Sequence, residues 1–177
     1  MRDVMLDLET MGSGPNAAIV AIGAVAFDIE TSTIGPTFYQ LVDLASAVAS
    51  GGQMDAATVM WWVQQEQAAR QALATDTAAP MRDVLALFAQ WLQQTTGGQA
   101  PRIWGNGAAF DNVILASAYR NADKPQPWKH WDDRCYRTVK ALHPNIKMAR
   151  VGTHHVAVDD AASQALHLIA MLGERAC

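Results

Sequence analysis

The chain has 177 residues, half of them hydrophobic, with 17 acidic against 13 basic side chains and a formal net charge of −4. That size suits one domain with a sizeable core, and the acidic balance argues against a processive role that wraps long duplexes, though not against an enzyme whose metals supply positive charge locally. Two cysteines, Cys135 and Cys177, are too few for a disulfide framework, and neither a leader pattern nor a bilayer-spanning stretch is evident. A soluble protein of the reducing cytoplasm is expected, with Cys177 an exposed thiol.

In chain order, residues 2–10 read as a first strand, an apolar run of Val4, Met5, Leu6 and Leu8 with Asp7 and Glu9 set into it. Gly12-Ser13-Gly14-Pro15-Asn16 is a dense turn signal. Residues 17–27 have the composition of a buried strand and 37–42 of a third, with 28–36 as the hairpin connection, so an antiparallel meander is expected. Asp55 caps a predicted helix running to about residue 73 and carrying Trp61 and Trp62. Pro80 opens a second, with Met81, Val84, Leu85, Phe88 and Leu92 on one face and Thr95-Thr96-Gly97-Gly98 as its end. A short strand at 101–105, a helix at 110–119, a brief strand at 131–134 and a helix to residue 142 follow. In the last helix Ala161, Ala165, Leu168 and Leu172 recur with helical period. Strands grouped first and strand–helix units later predict a mixed α/β layer fold in one domain, residues 1–177.

Three groups of polar residues carry chemistry. Side chains alternate faces along a strand, so Asp7 and Glu9 point the same way, roughly 7 Å apart along the chain. Two anions in an apolar strand are costly to bury, and a divalent cation relieves that cost. All-oxygen ligation suits Mg²⁺ or Mn²⁺; the alternative is a solvated pair at a strand end. Asp111 stands where a strand passes through a small-residue loop into a helix, a place that a helix-dipole role would also explain. Near the C-terminal end, His154 precedes Asp159 and His155 precedes Asp160, each by five residues, and an exposed loop is the plain reading of both.

Asp7-Leu8-Glu9-Thr10-Met11-Gly12 resembles the opening motif of the DEDD 3′–5′ exonucleases, similar in fold to ribonuclease H. The form here most resembles the exodeoxyribonuclease VIII-like branch with its small phage and mycobacterial exoribonucleases. Asn106-Gly107-Ala108-Ala109-Phe110-Asp111 is similar to the family's N-A-x-F-D element, with Gly105 where a histidine is usual. The pattern H-x-A-x-x-D-A matches His155 through Ala161, which selects the register of His155 with Asp160 and identifies the DEDDh type; a sister group carries tyrosine instead. The resemblance covers residues 4–172.

It implies an α/β, ribonuclease H-like mixed sheet flanked by helices. It also implies a 3′–5′ exonuclease releasing nucleoside 5′-monophosphates from single-stranded 3′ ends of DNA or RNA. Asp7, Glu9, Asp111 and Asp160 would hold two Mg²⁺ or Mn²⁺ ions. Glu9 would also orient water, and His155 would take its proton while His154 points elsewhere. Thr10 and Met11, and less directly Asn106 and Phe110, would meet the terminal nucleotide. Trp61 and Trp62 are expected in the core, although adjacent helix positions about 100° apart leave one free to stack on a base. Asp133-Arg134 and Arg137-Thr138 resemble a D-R-x-x-R-T element, for which a structural role is favoured over phosphate contact. Rival readings are an exoribonuclease for oligonucleotides or RNA overhangs and a noncatalytic nucleic-acid-binding domain. The resemblance is compatible with a homodimer.

Overall fold

The computed structural model describes residues 1–74 and 76–173; Cys177 lies outside them. Strands β1 (Asp3–Thr10), β2 (Ile19–Asp28) and β3 (Thr33–Leu41) form the expected antiparallel meander. Beyond β1, strands β4 (Arg102–Gly105) and β5 (Asp133–Cys135) add in parallel, giving a mixed sheet of order β3-β2-β1-β4-β5. β1 is central, paired to β2 on one side and β4 on the other.

The helices are α1 (Leu44–Ala49), α2 (Ala56–Val63), α3 (Gln67–Leu73), α4 (Met81–Thr96), α5 (Asp111–Asn121), α6 (Tyr136–Leu142) and α7 (Ala157–Gly173). Strand alternation sorts them into two layers. Val4, Leu6 and Leu8 face a core shared with α4 and α5, through Val84, Leu85, Phe88, Ile114 and Leu115. Met5, with Val25 and Phe27, faces the opposite core, built on Tyr136 of α6 and Ala161, Ala165 and Leu168 of α7. Asp7 and Glu9 share the parity of Met5, so the acid pair looks toward α7.

Four expectations need correction. The single helix predicted from Asp55 to residue 73 is two, α2 and α3, interrupted at 64–66. No glycine or proline marks the break; the second half turns to pack Leu73 on Leu41 and Ala157, and tertiary packing overrides local propensity. β3 begins at Thr33, not 37, because Asp28 closes a tight turn by accepting from the Thr31 N–H at 2.8 Å. Gly35 and Pro36, read as loop, lie within this strand, where proline is tolerated because β3 is the sheet edge. The brief strand predicted at 131–134 is a 3₁₀ turn, His130–Asp132, followed by β5. Helix α1, capped by Asp43 accepting from the Ser46 N–H at 2.7 Å, has six small or aliphatic residues and no periodicity to announce it.

Candidate active site

The site lies where β1, α5 and α7 meet, and small residues bring them together. Gly23 of β2 pairs with Asp7 across the ladder. A Cβ on Gly23 would lie 2.2 Å from the Ala157 carbonyl carbon, so glycine here lets the first turn of α7 sit directly on the sheet. Ala157 and Ala161 are fully buried against it, which accounts for the two alanines in the H-x-A-x-x-D-A pattern. Asp160, between them, is thereby carried to Asp7 and Glu9: one carboxylate oxygen from each lies within 4.8 Å of the others.

Asp111 arrives by a second device. The β1–β4 ladder ends at the pair Leu6 and Gly105, and two residues on the Leu8 N–H donates to Asp111 Oδ1 at 3.2 Å. The carboxylate takes over the sheet's hydrogen bonding where β4 leaves it. At Gly105 a Cβ would lie 2.3 Å from Asn112 Oδ1 and 3.2 Å from Asp111 Cβ, so this chain's departure from the usual histidine goes with close packing of α5 on β4. Asp111 lines the same cleft as Asp7, Glu9 and Asp160, a cavity of about 300 Å³.

The electrostatics are those of a buried anion cluster. Burial, followed by the charges of Asp111 and Glu9, raises the Asp7 carboxyl well above the carboxylate range. Burial, with Asp160 and Asp111 adding, pushes Glu9 up to about 8. Burial also raises Asp111, opposed by the Leu8 N–H and Arg137. Asp160 is better served, because one oxygen is paired with Arg150 and the other accepts the His155 N–H at 3.1 Å. Glu9 Oε1 is buried and has no hydrogen-bond partner among the described residues. An orphaned carboxylate oxygen beside two further carboxylates is a donor set that fits a hard divalent cation. Gln164, one helical turn beyond Asp160, donates to Asp7 Oδ1 at 2.8 Å and fixes its rotamer.

Both histidines line this cleft. Their rings stack at 3.7 Å, and with Asp160 they form a second group whose ligand atoms lie within 4.8 Å of one another. The expectation that His154 points elsewhere is therefore corrected: His155 has a left-handed backbone, φ +62°, which turns the pair to the same side. Burial, then the neighbouring His154, lowers the His155 pKa, while Asp160 opposes. Asp159 does not join the cluster; it accepts from the Thr153 N–H at 2.7 Å and packs where a side chain on Gly152 would have to be.

A second cleft opens from the first, sharing Leu8, Glu9 and Phe110 and lined also by Thr10, Trp61 and Trp62. The core placement of both tryptophans is corrected for one of them. Trp62 is buried and donates to the Thr10 carbonyl at 2.9 Å, whereas Trp61 is 41% exposed, edge-on to His155 at 4.9 Å. Thr10 is buried, its hydroxyl donating to the Gly12 carbonyl at 2.7 Å. Met11 lines an adjoining apolar groove with Val59 and Trp62. Asn106 lines the acidic cleft, and its carbonyl accepts from Arg137 at 2.7 Å. Asp133 makes no ion pair with Arg134; it accepts from Asn112 and Trp128, and Arg134 donates to backbone carbonyls. Arg137 lines the cleft while its bond to the Asn106 carbonyl is a structural contact of the kind expected for that element. Sequence reasoning missed Gln164, Lys140 and Arg150; only Gln164 carried a signal, its i+4 spacing from Asp160.

An α/β sheet of this order, with carboxylates from β1, α5 and α7 in one cleft, has the ribonuclease H-like fold of the DEDDh nucleases. The chain belongs to the family described as the Rv2179c-like 3′–5′ exoribonuclease domain, which it matches over residues 2–172. An exodeoxyribonuclease of Enterobacteria phage T4 is 29% identical over 167 residues, covering 80% of this chain and 72% of that protein. Among solved structures, the nuclease domain of 3′hExo, a DEDDh family member bound to rAMP, superposes with a TM-score of 0.67 at 16% identity, over 99% of this chain and 92% of that one. Exonuclease I of E. coli with a dT13 oligonucleotide gives 0.64 at 15% identity, over 98% of this chain and 42% of that one. The protein is a 3′–5′ exonuclease whose substrate is nucleic acid. Among the described residues no helix is long and apolar enough to cross a membrane.

Proposed function

We propose that the protein removes nucleoside 5′-monophosphates one at a time from single-stranded 3′ ends, using two Mg²⁺ or Mn²⁺ ions held by Asp7, Glu9, Asp111 and Asp160. The observation that carries this reading is the approach of Asp7, Glu9 and Asp160 oxygens within 4.8 Å, from β1 and α7, with Asp111 in the same cleft. When bound, such cations neutralise the phosphate and make water nucleophilic near neutral pH. Glu9, with one oxygen that has no partner among the described residues, would orient that water. His155 takes its proton; a lowered pKa keeps the ring neutral, and able to accept, at neutral pH. Thr10 and Asn106 are the candidates for sugar contacts. Phe110 and Trp61 offer faces to the terminal base, with Met11 packed behind Trp62.

The family description favours RNA ends and the phage relative DNA ends, so matched 5′-labelled DNA and RNA strands, with and without overhangs, should be digested in Mn²⁺. The reading expects a ladder shortening by one nucleotide from the 3′ end, absent in Asp7→Asn and Asp160→Asn. Internal cutting, or tight binding without cleavage as a noncatalytic module would give, sinks it. A homodimer, with which the resemblance is compatible, would register as a doubled mass by light scattering.

A further inference from the structure

We infer that a basic groove leading away from the acidic cleft along α6 holds the phosphates of the substrate strand on the 5′ side of the bond that is cut; this rests on the exonuclease reading above. The acidic cleft has two extensions of opposite chemistry. One is the aromatic cleft of Thr10, Trp61 and Trp62. The other is a groove of about 740 Å³ that shares Asn106, Arg137, Lys140 and Met148 with the acidic cleft and continues past Lys147. Among the described residues no Asp or Glu lines it, in a chain where acids outnumber bases by 17 to 13. A strand cut one nucleotide from its end places a base on one side of the reacting phosphate and further phosphates on the other. The aromatic extension suits the base and the cationic one suits the phosphates.

The groove is also held in shape. Arg137 and Lys140 lie three residues apart on α6, on one helix face. Arg137 is anchored by donating to the Asn106 carbonyl at 2.7 Å, which leaves other guanidinium N–H groups to point into the groove. The opposite wall, the loop carrying Lys147, is pinned by a buried chain. His167 Nε2 lies 2.9 Å from the Ile146 carbonyl, and Nδ1 lies 2.7 Å from the Tyr136 hydroxyl. A carbonyl can only accept, so Nε2 carries the proton and Nδ1 accepts from Tyr136. Lys147 uses one ammonium donor on the Pro144 carbonyl at 2.9 Å and keeps others for phosphate oxygens. Arg150, exposed and paired with Asp160, stands where the loop returns to the acidic cleft.

The test compares wild type, Lys147→Gln and, as a charge-matched control on exposed α4 surface, Arg82→Gln. Two substrates are used: thymidine 5′-(4-nitrophenyl phosphate), which has one diester and no upstream strand, and a fluorescent octanucleotide with a terminal phosphorothioate, followed by anisotropy in Mn²⁺. Lys147→Gln should weaken octamer binding about fivefold or more at low salt and reduce the slope of log affinity against log salt by about one. Hydrolysis of the nitrophenyl ester should be unchanged. Equal octamer affinity and salt slope in Lys147→Gln and wild type, or an equal loss in Arg82→Gln, overturns the groove. Failure of the exonuclease reading looks different: wild type binds the octamer in a Lys147-dependent way but hydrolyses neither the ester nor an unmodified strand.

Discussion

Gly23 and Ala157 touch backbone to backbone, with no space for a methyl group between β2 and the first turn of α7. This contact sets the height of α7 above the sheet, and with it the reach of Asp160 toward Asp7 and Glu9. Gly23→Ala should therefore cost about 1–3 kcal/mol of stability by overpacking and weaken Mn²⁺ binding as well. Thermal unfolding and calorimetric titration check the two effects. Lower stability with full metal affinity would show that α7 can shift without moving Asp160.

The charge cluster makes the metal-free protein sensitive to pH in a direction opposite to ordinary surface acids. Glu9 is raised from 4.5 to about 8, and Asp7 is raised too, so the folded chain holds protons that the unfolded chain releases. Stability is then full below the unfolded carboxyl values and falls as pH rises toward about 8. His155, with a lowered pKa, works the other way near neutrality. The melting temperature of EDTA-treated protein should drop between about pH 5 and pH 8.5 and recover on adding Mn²⁺. Asp7→Asn should flatten that drop; an unchanged slope in this variant would place the pH dependence elsewhere.

The two adjacent tryptophans should separate by measurement. Trp62 is buried and bonded to the Thr10 carbonyl, so Trp62→Ala should cost about 3–5 kcal/mol of stability. Trp61 is exposed in the cleft, so Trp61→Ala should leave the melting temperature nearly unchanged and raise KM by the loss of about 1–3 kcal/mol of stacking. Equal destabilisation by both variants would return Trp61 to the core.

Part of this site was legible in the chain from short-range periodicity, whereas Asp111, His155 and Asp160 were legible only through the resemblance to the DEDD exonucleases. The parity of Asp7 and Glu9 follows from the two-residue repeat of a strand, and the face of α4 from Met81, Val84, Leu85, Phe88 and Leu92. What escaped depends on contacts between distant segments. Nothing local says that Trp61 rather than Trp62 turns outward, since both lie on one short helix and the choice is made by the Thr10 carbonyl 52 residues away. Arg137, Lys140, Lys147 and Arg150 are scattered singly through a polar region, and only the docking of α6 and its following loop collects them. The side on which His154 falls is decided by the positive φ of His155, and no residue type at 155 requires that conformation.

The last prediction concerns those histidines. Asp160 belongs to the acid cluster, and Asp159 is occupied with the Thr153 N–H, which favours His155 as the proton acceptor. His155→Ala should lower kcat by about 10²–10⁴-fold while Mn²⁺ affinity persists. The acidic limb of the pH–rate profile should disappear with the ring, apart from any contribution of coupled groups. His154 is stacked on that ring, so His154→Ala should not be silent. Removing the His154 ring raises the His155 pKa, because His154 is one of the groups lowering it. The acidic limb should then move to higher pH with the plateau rate largely kept. His154→Ala abolishing turnover, with His155→Ala retaining it, would exchange the two roles and make the stacked ring at 154 the base.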